Sequence, residues 1–241
     1  GGFSTYDTAV TLGGPIIKER LWFFGSYQKK YREDDVLNAA TGDLMRTVTN
    51  DQKYAFGKLT WQITDNDRVT GTFFNDPTDI SGSNNSNTLN NRDFVRIQGG
   101  DNYKLEYSHD WDNLRLSAYG FRHEGEVSNI PAVQDVELNN VAFRTAAGAS
   151  LAQRSQGGGG VAIITERNRD EFGLNLDYWL DTDFGSHAFK AGFVSSDNEY
   201  FEDSRETGPT HGRYTSLATQ YAGTSFLDAT ASGWTARSIV Q

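Results

Sequence analysis

The chain is 241 residues long, has no cysteine, and carries a formal net charge of −10 at 37% hydrophobic and 13% aromatic content. The missing cysteines exclude a disulfide scaffold, a Cys-ligated zinc site and a thiol nucleophile, and the acidic balance excludes the basic stripe that a nucleic-acid partner requires. No apolar run approaches the ~18 residues of a membrane helix; strands of ~10 residues, apolar at every second position, cross a bilayer without raising the mean hydropathy. That length fits one large all-β domain or two ordinary ones, and 25 Gly against 4 Pro favours strands with many turns.

In chain order, Thr8, Val10 and Leu12 alternate with Asp7, Ala9 and Thr11. Gly13-Gly14-Pro15 then interrupts, and Leu21-Trp22-Phe23-Phe24 restarts an extended run. Period-2 alternation broken by Gly and Pro predicts a hairpin. Residues 29–52 read as a polar loop with the acidic triplet Glu33-Asp34-Asp35. Ala55, Gly57, Leu59, Trp61 and Ile63 alternate next with Tyr54, Phe56, Lys58, Thr60 and Gln62, and the Asp/Asn-rich segment 64–68 turns the chain back. Val69, Gly71 and Phe73 continue on the return, before an Asn/Ser/Gly-rich loop over 76–100.

The third hairpin sets Tyr103, Leu105, Tyr107, His109 and Trp111 on one face and Lys104, Glu106, Ser108 and Asp110 on the other. After a turn at Asp112-Asn113, Leu114, Leu116 and Ala118 return opposite Arg115, Ser117 and Tyr119. A long polar region covers 123–170. The fourth hairpin opposes Phe172, Leu174, Leu176, Tyr178 and Leu180 to Glu171, Gly173, Asn175, Asp177 and Trp179, then Phe189, Ala191 and Phe193 to Lys190, Gly192 and Val194. From 197 the chain reads as another long loop.

Short and long connections alternate through all four hairpins, so the short turns share one end and the long loops the other. This is the layout of an outer-membrane barrel, with short periplasmic turns and long extracellular loops. The expectation is an all-β fold: an antiparallel transmembrane β-barrel segment of about eight meandering strands. Charge on the lipid face costs roughly 2–4 kcal/mol near the midplane, so the charged parity faces inward. Lys58, Lys104, Glu106, Asp110, Arg115, Glu171, Asp177 and Lys190 are the lumen-facing candidates. Trp22, Trp61, Trp111 and Trp179 each lie near a short turn, where an interfacial aromatic girdle belongs. Trp61 and Trp111 share the lipid-facing parity, Trp179 has the polar one, and Trp22 fits neither clearly.

Leu12-Gly13-Gly14-Pro15-Ile16 and the following Lys18, Phe23, Phe24, Ser26 and Tyr27 resemble the early barrel of TonB-dependent outer-membrane receptors, especially the Oar-like branch; Glu19 and Gln28 depart from its pattern. The resemblance implies that Gly13, Gly14 and Pro15 mark a periplasmic turn, and that 1–241 is a partial barrel lacking its plug and TonB box. A full barrel of ~22 strands would enclose an N-terminal plug. The implied partners are outer-membrane lipid, that plug, the TonB complex through it, and an extracellular substrate of peptide or protein class. The implied location is the cell outer membrane. The start at Gly1-Gly2-Phe3, without Met or signal peptide, adds the expectation of a fragment or processed piece.

No catalytic, cofactor or metal site is expected. Ser26-Tyr27-Gln28-Lys29 has S-x-x-K spacing but lies on a predicted strand. His109, His123, His187 and His211 lack ligand spacing. The glycines at 157–160 lack the Lys-Ser/Thr of a phosphate loop, and Asp65-Asn66-Asp67 and Asp197-Asn198-Glu199 fit turn chemistry better than a calcium loop. The alternatives are a self-contained eight-stranded barrel, an outer-membrane enzyme with a convergent Ser, His and carboxylate set, and a soluble binding or adhesive β-sandwich whose apolar stripes a second sheet would cover.

Overall fold

The computed structural model describes residues 2–38, 42–82, 93–132, 140–145, 161–206, 211–216 and 235–240. The strands are β1 (Phe3–Ile17), β2 (Leu21–Leu37), β3 (Leu44–Gln62), β4 (Asp67–Asn75), β5 (Thr78–Ser81), β6 (Phe94–Asp110) and β7 (Leu114–Pro131). They continue as β8 (Asn140–Thr145), β9 (Val161–Thr182), β10 (Gly185–Glu206), β11 (His211–Ser216) and β12 (Thr235–Val240). A nine-stranded antiparallel sheet runs β1-β2-β3-β4-β6-β7-β9-β10, with β5 between β3 and β6, and β12-β11-β8 form a second sheet of three strands. The described residues contain no helix.

β4 and β5 act as one strand broken at Asp76-Pro77. Proline has no N–H for the ladder, and the break faces Gly99 and Gly100 of β6. The Asp76 carboxylate accepts the Gly100 amide at 2.9 Å, and the Pro77 carbonyl accepts the Lys53 amide at 3.0 Å. Gly99 has φ 130°, and a Cβ there would stand 2.5 Å from the Asp76 carbonyl oxygen. Only glycine fits this close crossing. The result is eight long antiparallel passes, as the hydropathy alternation predicts.

The short turns are residues 18–20, 63–66, 111–113 and 183–184. They fall at one end of the meander, as expected. At the other end the structure corrects the expected loops. Much of 29–52, 76–100 and 123–170, and the start of the segment from 197, is strand: β2 runs to Leu37, β3 starts at Leu44, β6 starts at Phe94, β9 starts at Val161 and β10 runs to Glu206. Between β2 and β3 the Asn38 amide donates to the Asp43 carbonyl at 2.8 Å. β9 and β10 are 22 residues each, about twice the ~10 that cross a bilayer. Beyond the apolar band both faces are polar, so pairing continues without a period-2 hydropathy signal. Lys30 opposite Gln52 and Glu33 opposite Thr49 are such pairs. The glycines at 157–160 lie outside the described residues.

A second correction concerns the first hairpin. Gly13, Gly14 and Pro15 are strand residues opposite Phe24, Phe23 and Trp22, with a register shift between Pro15 and Ile17. The turn itself is Lys18-Glu19-Arg20, with Glu19 at φ 64°. A proline at the irregular end of a strand forfeits only one ladder bond, so the Gly-Gly-Pro signal marks the approach to the turn.

Candidate functional site: the charged concave wall

Directly opposed residues of an antiparallel ladder share a face, so register fixes the two sides of the sheet. One row runs Phe24, Lys58, Thr72, Lys104, Phe121, Glu171 and Ser196 from β2 to β10. Nearer the short turns, Asp110, Arg115, Asp177 and Lys190 are paired in succession. All eight charged positions singled out from sequence parity therefore lie on one face. Hollows of about 1050 and 510 Å³ open on that side, the first across the Lys58 row and the second below it. It is the concave side of the sheet.

The opposite face carries the apolar band. Phe23, Leu59, Leu105 and Phe172 fall in one row, with Gly71 and Gly120 between them. Val10, Leu105 and Phe193 are 62%, 62% and 58% exposed. Aromatic pairs bridge neighbouring strands on this face: Phe73 with Tyr103 at 5.2 Å and Tyr178 with Phe189 at 6.3 Å between ring centroids. Among the described residues no second sheet covers this surface, as a sandwich would require, and no ladder joins β1 to β10, as a closed eight-stranded barrel would require. Such an apolar surface needs a partner or a lipid environment.

Within the concave wall, Lys104 Nζ is 2.6 Å from Glu106 Oε2 and sits 4.7 Å from the centroid of the Tyr119 ring. Tyr119 donates to Glu171 at 2.8 Å, and Arg169 grips the same carboxylate. Arg115 donates to Asp110 at 2.9 Å through its second nitrogen, while Lys190 pairs with Asp177 at 2.8 Å. Sequence reasoning missed Arg169 and Tyr119 as members of this network. The signal was present in the parity of β7 and β9, because both residues share a face with Glu171.

The tryptophans divide between the faces. Trp61 pairs with Leu21 and Val69 on the convex side, and the Trp111 ring lies 4.2 Å from that of His109, tilted 60° to it. Trp22 pairs with Pro15 and Thr60, and Trp179 follows the parity of Asp177, so both belong to the concave side. Of the four tryptophans expected near the short turns, Trp61 and Trp111 thus share the convex face with Tyr107 and Tyr178, and Trp22 and Trp179 do not.

The remaining motifs find ordinary explanations. Ser26 and Lys29 of the S-x-x-K stretch lie on opposite faces of β2, paired with Phe56 and Lys53. In the acidic triplet, Glu33 accepts from Tyr31 Oη at 2.6 Å, Asp34 from Arg32 and Asp35 from Thr47 at 3.1 Å. Arg32 holds the Asp34 carboxyl below the usual carboxylate range by hydrogen bonding and charge. Asp67 accepts from Tyr107 at 2.6 Å and meets His109 Nδ1 at 2.6 Å, while Thr64 Oγ1 caps the turn amides of Asn66 and Asp67 at 3.2 and 3.1 Å. Among the described residues no group of three or more His, Cys, Asp or Glu side chains could hold a metal ion.

No protein-family model and no curated protein sequence matches the chain. Among solved structures, the outer-membrane transporter YddB from Escherichia coli is similar, with a TM-score of 0.59 and 14% identity. The match covers 88% of this chain and 27% of that one. At this identity the likeness concerns the fold: the eight-pass meander is similar to a segment of an outer-membrane barrel wall, and the chain spans about a quarter of that transporter's length.

Proposed function

We propose that this chain forms part of the wall of a TonB-dependent outer-membrane transporter of the Oar-like branch, serving movement of a peptide- or protein-class substrate across the outer membrane. The observation that carries the reading is the division of faces: charges gather on the concave side and apolar side chains on the convex side. A convex apolar surface suits lipid, and a charged concave wall suits a water-filled lumen or a plug. The Gly13-to-Tyr27 resemblance and the likeness to an outer-membrane transporter support the same reading. In it the strand extensions beyond the band meet the substrate first, and Lys58, Lys104, Glu106, Asp110, Arg115, Glu171, Asp177 and Lys190 face the plug or the opened path.

The test is fractionation of the native source cells, with intact-mass measurement and cross-linking to TonB. A heat-modifiable outer-membrane protein, far heavier than 26.8 kDa and cross-linked to TonB, is the expected result. An outer-membrane protein of this mass would favour a small barrel instead. A soluble protein would remove the transport reading.

A further inference from the structure

Charge on the concave wall is distributed against the chain as a whole. The chain carries −10, yet the 510 Å³ hollow on the turn side is lined by the cations Lys58, Arg68, Lys104 and Arg115 and by only two carboxylates, Glu106 and Asp177. Both carboxylates are already engaged, Glu106 by Lys104 at 2.6 Å and Asp177 by Lys190 at 2.8 Å. Arg115 is held by Asp110. Among the described residues, Lys58 and Arg68 have no carboxylate within ion-pair distance. Arg68 instead donates through Nε to Gln62 Oε1 at 2.9 Å.

Between these cations the wall offers hydroxyls from Thr70, Thr72, Ser108 and Ser117. Hydroxyls donate to anions and impose little geometric demand. Lys58 and Lys104 stand in one row with Thr72 between them, so their strands are roughly 10 Å apart at the usual inter-strand spacing. Two lysines on strands at that separation, Lys104 shared with Glu106, and the Arg68 guanidinium two rows nearer the turns on the same face match several linked negative charges better than one.

We propose that this hollow is a binding site for a polyanionic solute bearing phosphate or carboxylate groups, held between Lys58, Arg68 and Lys104 and the hydroxyls between them. The inference rests on the transport reading and narrows its peptide-class substrate to one bearing several carboxylate or phosphate groups. A solute in transit must be bound and then released. Flexible lysine point charges and hydroxyls meet that need. The excess of free cation in an acidic chain supplies the charge complementarity.

The test uses the full-length native protein, purified in detergent, with inorganic tripolyphosphate as the probe in calorimetric titration. Wild type is expected to bind it, with affinity falling as salt rises. A Lys58→Gln/Arg68→Gln double variant is expected to bind at least tenfold more weakly, while Lys18→Gln, in the turn between β1 and β2, keeps the wild-type affinity. Equal affinity in the double variant, or no binding to wild type, overturns the site. If the double variant instead exposes the plug to protease while anion binding is unchanged, the occupant is an acidic protein segment and the solute proposal fails. Heat-modifiability and outer-membrane fractionation on the same preparation separate the two readings: an outer-membrane protein that ignores the anion loses only this inference, and a soluble protein loses both.

Discussion

The Tyr119 ring lies across Gly173, its directly opposed partner on β9, and a Cβ at Gly173 would overlap the ring. That overlay lets the Tyr119 hydroxyl reach Glu171 at 2.8 Å and holds the ring under the Lys104 ammonium. A glycine opposite an aromatic thus organises the charged network. Gly173→Val must swing the ring away and break both contacts, at a cost of about 1–3 kcal/mol from overpacking. Gly120→Ala is the control, because a Cβ there has nothing within 4 Å. Urea unfolding in lipid vesicles should show a lower midpoint for Gly173→Val and an unchanged one for Gly120→Ala.

The assignment of faces makes a sharper demand. Leu105 is on the convex face and Thr72 on the concave face, one strand away. If the convex face meets lipid, Leu105→Arg costs roughly 2–4 kcal/mol near the midplane. Thr72→Arg, placed among water and existing charges, should change stability by less than about 1 kcal/mol. Folding of each variant into vesicles across a urea series measures both. Equal tolerance would show that the convex face does not lie against lipid.

What the sequence made legible follows from where hydropathy differs between faces. Lys104 and Leu105 sit in a segment with one dry and one wet side, so alternation reveals both the strand and its facing. Lys30 and Gln52 pair just as regularly, but both faces there are polar and the strand left no periodic trace. Gly13-Gly14-Pro15 is a stronger turn signal than Lys18-Glu19-Arg20, and only register shows those three residues still paired. Trp22 was unreadable for a related reason: the irregularity between Pro15 and Ile17 shifts the parity of the hairpin end. The charged wall was visible residue by residue. Its network was not, since the joining of Glu171 to Tyr119 and Arg169 depends on which strands are neighbours.

On the extended part of β2, Arg32 and Asp34 are two residues apart on the same face and joined side chain to side chain. The Asp34 carboxyl is held below its ordinary value by that guanidinium. A depressed carboxylate contributes stability above the unfolded pKa of ~3.9 and loses it as pH falls through the lower folded value. The pair should therefore persist at pH 5 and break only in more acidic solution. A carbon-13 carboxyl titration should place the Asp34 midpoint below the ~3.9 of a free aspartate, and Arg32→Gln should raise it. An identical midpoint in the two proteins would mean that the pair does not form in solution.

The extension beyond the apolar band is also open to a test of its independence. Arg46 and Asp93 form a 3.4 Å ion pair with side chains only 7% and 13% exposed, and Asp93 also accepts the Phe94 amide at 3.0 Å where β6 begins. Losing this charge-assisted contact where β6 begins costs on the order of 2 kcal/mol. Asp93→Ala should accordingly speed hydrogen exchange at the amides of β5, the start of β3 and the start of β6. Amides beside Leu59 and Leu105 should keep their protection if the band holds together without the extension, since local opening follows cooperative units. Exchange that rises uniformly from the extension through the band would instead make the whole meander one unit.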